Sequence, residues 1–169
     1  MKSIIMNKID MGGQLPEFTL QVGVSETINL PSDIESDYAV ILFYRGHWWP
    51  YCIRQLGGYE KNLEALRDLG VSVFAATVDS LAETTKVAQS LSFPVAWGVD
   101  KQLGDLLGAF WENRRYHIQP TEFLVNKKGR VLSSTYSTSP LGRMDADETV
   151  TLMKMITARK QQWSSVRRV

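Results

Sequence analysis

The chain holds one cysteine, Cys52, and its thiolate is the strongest nucleophile the sequence offers. It ends the loop Arg45-Gly46-His47-Trp48-Trp49-Pro50-Tyr51, which joins an apolar run to a helical pattern. A thiol in the first turn of a helix lies where backbone N–H groups are unpaired and the helix dipole favours an anion, so a thiolate is stabilised there. The opposing reading is a buried structural cysteine, and position alone leaves the two level. Trp48 and Trp49 are placed to wall an apolar, water-poor space beside the sulfur, or to serve simply as core aromatics. His47 is within reach as a base, although an exposed loop position is the simpler reading. His117 reads as a polar rim residue. One cysteine excludes an internal disulfide, and two histidines are too few for most metal cages, so neither metal nor cofactor is expected.

These residues need a scaffold. Tyr38–Tyr44 is a continuous apolar run, the pattern of a strand buried on both faces. Cys52–Leu69 follows with Ile53, Leu56, Leu63, Leu66 and Leu69 at helical spacing, and Gly70 ends the helix. Upstream, 17–22 and 26–30 alternate around Gly23 as a hairpin. Downstream lie a strand at Val71–Val78, a capping box at Ser80 to Glu83 opening a helix to about Leu91, and a short strand at Val95–Val99. Asp100 caps a short helix. After a loop with two arginines, Thr121–Asn126 and Val131–Thr135 form a second hairpin, and Asp145 to Glu148 opens a last helix to about Gln162. Buried strands alternating with helices predict an α/β fold: a mixed central sheet, helices on both faces and an N-terminal β-hairpin, in one domain.

Nineteen Lys and Arg against eighteen Asp and Glu leave a net charge of +1, so no global field draws nucleic acid or an anionic membrane. Arg159, Lys160, Arg167 and Arg168 complement the dipole of the last helix. No apolar run is long enough to span a bilayer. Asn7, Lys8 and Asp10 break the N-terminal apolar stretch, so no signal-peptide core is expected and a cytoplasmic location follows by default.

The segment Phe43-Tyr44-Arg45-Gly46-His47-Trp48-Trp49-Pro50-Tyr51-Cys52, followed by Gln55-Leu56, resembles the active-site stretch of peroxiredoxin-like proteins of the alkyl hydroperoxide reductase/thiol-specific antioxidant (AhpC/TSA) family. Leu15-Pro16-Glu17-Phe18-Thr19-Leu20 is similar to the family's opening strand. Gln119-Pro120-Thr121-Glu122-Phe123-Leu124-Val125 with Lys128-Gly129-Arg130 is similar to its cis-proline, strand and turn. The resemblance runs from about Leu15 to Ile156 and implies a thioredoxin-like fold. Two departures stand out. Trp49 replaces the first cysteine of the family's paired motif, or the Thr of typical peroxiredoxins, and Pro120 stands where those enzymes place an Arg.

The resemblance implies that Cys52 thiolate attacks a hydroperoxide and becomes a sulfenic acid. With no second cysteine, an external thiol, small or thioredoxin-type, must restore it. Arg45 and Arg143 are the best candidates to replace the missing helpers, because a guanidinium stabilises thiolate and polarises a peroxide oxygen. Trp48, Trp49, Pro50 and Pro120 are expected to wall the site. A homodimer is compatible with the family. The competing readings are a redox-silent binding protein whose old active site is filled by Trp49, and a monothiol disulfide exchanger.

Overall fold

The structure, a computed structural model, describes residues 7–166. The first six residues and the pair Arg167-Arg168 lie outside the described residues. In chain order the elements are β1 (Phe18–Val22), β2 (Glu26–Leu30), β3 (Tyr38–Phe43), α1 (Pro50–Lys61), α2 (Leu63–Asp68), β4 (Val71–Ala76) and α3 (Leu81–Ala88). They continue with β5 (Val95–Ala96), α4 (Lys101–Leu106), β6 (Trp111–Glu112), β7 (His117–Ile118), β8 (Thr121–Asn126), β9 (Val131–Tyr136) and α5 (Ala146–Val166). The central sheet has the order β5-β4-β3-β8-β9, with β3 parallel to β4 and antiparallel to β8. β1 and β2 form a separate antiparallel hairpin.

β3 is apolar throughout because it is buried on both faces. Val40, Leu42 and Tyr44 enter one core with Cys52, Leu56, Tyr59 and Met153, so α1, α2 and α5 cover that face. Ala39, Ile41 and Phe43 enter the other with Leu15, Leu20, Leu107 and Ile118, under the N-terminal hairpin and α4. Alternate strand residues point to opposite faces, so one strand serves both cores. Each fully buried Val, Leu, Ile or Phe contributes about 1.5–3 kcal/mol. The mixed sheet, the helices on both faces and the hairpin match the sequence reading.

Several details differ from it. The helix from Cys52 to Leu69 starts two residues earlier, at Pro50, and breaks at Asn62, where φ is −97° and ψ is 4°. Asn62 Nδ2 donates to the Gly58 carbonyl at 2.8 Å, the local competition with the helix ladder that this side chain favours, next to the weak formers Gly57 and Gly58. The buried stripe of α1 is Cys52, Leu56 and Tyr59, while Ile53 faces outward. Val95–Val99 keeps only Val95–Ala96 as strand, since the Trp97 N–H turns to the Gln21 carbonyl of the hairpin at 3.0 Å. The loop with two arginines is a small hairpin in which Trp111 pairs Ile118 and Glu112 pairs His117. Pro120 does not follow a cis bond: among the described residues the cis peptide is Leu30–Pro31. Gln119 N–H bonds the Phe110 carbonyl and the Pro120 carbonyl accepts from Ser137 N–H, which carries the chain extended from β7 into β8.

Candidate active site

β3 ends against the loop that carries Arg45, and α1 begins two residues before Cys52, which falls in its first turn. Pro50 occupies the first helical position, where its missing N–H costs nothing, and Trp49 precedes it without a side-chain cap. The Cys52 and Ile53 N–H groups both bond the Trp49 carbonyl, at 3.1 and 3.2 Å. They are therefore spoken for, and the sulfur draws its donors from elsewhere. Arg143 Nη2 donates to Cys52 Sγ at 3.0 Å, and the Arg45 backbone N–H donates at 3.4 Å. Cys52 itself is 0% exposed. Gly46 lets the loop close tightly, since a Cβ there would lie 2.7 Å from Trp48 Nε1.

Arg143 comes from the segment between β9 and α5 and is held by a chain of hydrogen bonds. Its Nη1 donates to Gln55 Oε1 at 3.1 Å. Gln55 Nε2 donates to Glu122 Oε1 at 2.7 Å and to the Met144 carbonyl at 3.0 Å, which fixes the amide so that its oxygen faces Arg143. Glu122 Oε2 accepts the Met144 N–H, and the Tyr59 hydroxyl donates to the Met144 carbonyl at 3.1 Å. Glu122 is wholly buried, and burial pushes its carboxyl up to about 7, against the pull of Gln55, Met144 N–H and Arg143. Burial also holds the Tyr44 hydroxyl above the usual tyrosine range, with Asp79 and Cys52 adding to the effect.

Arg45, whose backbone N–H reaches the sulfur, is 5% exposed. Its guanidinium carbon is 4.5 Å from the Trp49 ring centre and 5.6 Å from that of Trp48, within cation–π range. Its Nε–H donates to His117 Nε2 at 3.0 Å. Burial pulls Arg45 below the ordinary arginine value, while Cys52 supports its charge.

Of the residues singled out in the sequence, the structure brings Cys52, Arg45, Arg143, Trp48 and Trp49 together. Trp48 is exposed at the rim and meets Trp49 edge-on at 5.5 Å. Pro50 is exposed and caps the helix start rather than walling the sulfur. Pro120 is buried at the head of β8. His117 is 1% exposed rather than on a rim, because the β6–β7 hairpin folds it under Trp48, 5.4 Å away. His47 pairs with Asp79 at 3.0 Å instead of with the thiol. His47, Asp79 and Glu83 are the one group of metal-type ligands among the described residues, within 4.8 Å of one another. Asp79 is already bonded to His47 N–H and Nδ1, and Glu83 to the Ser80 N–H of the α3 cap. Glu122, Gln55 and His117 are the participants that sequence reasoning did not assign. A carboxylate in the middle of an apolar strand was the available signal for Glu122.

A mixed five-stranded sheet with a helix-start cysteine whose sulfur accepts from a guanidinium is the arrangement of a thiol oxidoreductase of thioredoxin-like fold. A family model described as the AhpC/TSA family matches residues 11–134, and the chain belongs to that family. Peroxiredoxin Bcp of Escherichia coli is 26% identical over 133 residues, covering 75% of this chain and 85% of Bcp. A Mycobacterium tuberculosis protein named as a peroxiredoxin is 23% identical over 144 residues, covering 81% of this chain and 91% of its own. Among solved structures, peroxidoxin BcpB of Mycobacterium tuberculosis superposes with a TM-score of 0.76 at 16% identity, covering 88% of this chain and 98% of its own. AhpC of Enterococcus faecalis gives 0.74 at 17%, covering 92% and 96%. These structures share the fold.

Proposed function

We propose that the chain is a one-cysteine peroxiredoxin-like reductase of hydroperoxides. Cys52 thiolate attacks one peroxide oxygen, the O–O bond breaks, and the other oxygen leaves as water or an alcohol after taking a proton. Sulfur gives up two electrons and becomes a sulfenic acid. An external thiol then displaces water to form a mixed disulfide, and a second thiol releases reduced Cys52. Arg143 holds the anionic sulfur, and Arg45 supplies charge nearby. A cleft of about 190 Å³ lined by Gln55, Arg143 and Met144 is the approach route to Arg143. The observation that carries the reading is the Arg143 bond to the sulfur, since a structural thiol needs no guanidinium.

A second reading has one observation in its favour. Cys52 has no exposed surface and Trp49 packs against its core, as a redox-silent binding protein requires. Hydroperoxide consumption with excess dithiothreitol, wild type against Cys52→Ser, separates the two. We expect turnover only in the wild type, and equal rates would end the peroxidase reading. A Cys52 adduct with oxidised glutathione but no peroxide turnover would favour monothiol exchange. We read the chain as a single domain working in the cytoplasm, where reducing thiols are at hand, and as a homodimer in keeping with its family. No helix among the described residues is long and apolar enough to cross a membrane.

A further inference from the structure

Arg45 carries its charge into the interior, and among the described residues no carboxylate lies within ion-pairing distance of it. Its partner is His117, through Arg45 Nε–H to His117 Nε2 at 3.0 Å. Arginine in a protein is protonated and can only donate, so Nε2 must present its lone pair. His117 is therefore a neutral imidazole with its proton on Nδ1. That nitrogen has no hydrogen-bond partner among the described residues and lies 3.7 Å from Glu112 Oε2, close enough for the carboxylate's charge to act on the ring though not for a hydrogen bond. Glu112 is pinned in turn by the backbone N–H groups of Arg114 and Arg115, at 2.9 and 2.8 Å. The β6–β7 hairpin thus sets a carboxylate, an imidazole and a guanidinium in line toward the loop beside Cys52.

We propose that His117, backed by Glu112, is a positioning residue that holds the Arg45 guanidinium against the Cys52 loop and releases it on taking up a proton. This rests on the peroxidase reading for its consequence, though not for its geometry. Protonated His117 has no lone pair to offer and sets one cation against another. The groups facing it are Arg45 from the loop after β3, Glu112 from β6 and Arg115 from the β6–β7 turn, with Trp48 edge-on. Burial, then Arg45, hold His117 below the ordinary histidine value of 6.5; Glu112 and a backbone contact with Arg115 oppose them, and the Arg115 charge adds to them. The imidazole is thus neutral at neutral pH, and the release falls on the acid side of 6.5.

The test follows the rate of Cys52 oxidation by hydroperoxide, and of its alkylation by iodoacetamide, against pH in wild type, His117→Leu and His117→Gln. Losing a bond to a charged group costs about tenfold, so His117→Leu should slow both reactions by that much. Gln presents an acceptor oxygen and does not titrate. His117→Gln should recover to within about threefold of wild type near neutral pH and fall less steeply than wild type on the acid side, where only protonation of the thiol itself remains, the change expected if one acceptor is the whole requirement. A purely structural role would leave the steepness of the acid-side fall as in wild type. In parallel, NMR titration of the two histidines in wild type and Arg45→Met should show His117 moving up toward 6.5 when the guanidinium is removed. An unmoved His117, or His117→Gln as slow as His117→Leu, overturns the proposal. Should peroxide fail to react while alkylation and the titration respond as stated, the positioning role stands and the peroxidase reading falls.

Discussion

Removing the Arg143 guanidinium tests the chemistry most directly. Methionine keeps an unbranched apolar stem but donates nothing, so Arg143→Met strips a donor from Cys52 Sγ, at 3.0 Å, and from Gln55 Oε1, at 3.1 Å. A hydrogen bond to a charged group contributes about 1.5–3 kcal/mol, and about 1.4 kcal/mol is a tenfold change in rate. If that stabilisation is realised in the reactive thiolate, Cys52 should react roughly 10–100-fold more slowly at neutral pH. Two electrophiles divide the effect. Iodoacetamide reports only on the sulfur, whereas a hydroperoxide also develops charge on its leaving oxygen. Equal losses place Arg143 on the sulfur alone, and a larger loss with hydroperoxide places it on both. Arg143→Lys keeps one cation but cannot fork between Sγ and Gln55, and should fall between wild type and Met. Arg130 is the control: it is exposed at the β8–β9 turn and donates to the Gly12 carbonyl at 2.7 Å, so Arg130→Met should react like wild type. Arg143→Met within twofold of wild type toward both reagents would refute the role of this guanidinium.

Burial of Glu122 predicts a pH-dependent stability. A carboxyl held at about 7 in the folded chain and ordinarily at 4.5 adds stability that is full below 4.5 and is lost as pH rises through 7. The difference amounts to about 3 kcal/mol, so in urea titrations the wild type should lose that much across the window relative to Glu122→Gln, which does not titrate there. No change in the difference between the two across the window would show that the carboxyl is not desolvated. In α1, Gly57 is exposed and a Cβ there meets nothing within 4 Å. Gly57→Ala should therefore raise stability by about 1 kcal/mol in urea, with the Cys52 alkylation rate unchanged.

The parts of the architecture set by local pattern were legible in the chain. β3 announced itself as an unbroken apolar run, and the Ser80–Glu83 capping box is formed as its residues imply. The Asp100 cap is likewise present, with its carboxylate accepting the Leu103 N–H. What stayed hidden depends on contacts between distant segments. Asn62 breaks a helix whose apolar spacing runs straight through it, partly because its amide also reaches Asp147 of α5 at 3.0 Å. His117 looked like a rim residue until a two-residue pairing with Glu112 folded it inward. Cys52 and Arg143 are ninety-one residues apart, and only the fold makes them neighbours.

The same geometry explains how a cysteine with no exposed surface can still be read as reactive. Three buried donors on residues of this site have no hydrogen-bond partner among the described residues: Arg45 Nη1, Trp49 Nε1 and Arg143 Nε. Leaving a buried donor unsatisfied costs about 1–3 kcal/mol, and native chains rarely tolerate several together without a functional reason. An inert thiol needs none of them, since an apolar side chain of similar size would spare the cost. A peroxide oxygen is the acceptor such a set suits: it arrives neutral, gains negative charge as the O–O bond breaks, and can accept from more than one donor at once. On this reasoning Trp49 need not have closed the site. On the proposed reading, Trp49 would offer an indole N–H where family resemblance expects a hydroxyl, and Arg45, 4.5 Å from its ring, would be the cation that Pro120 cannot supply.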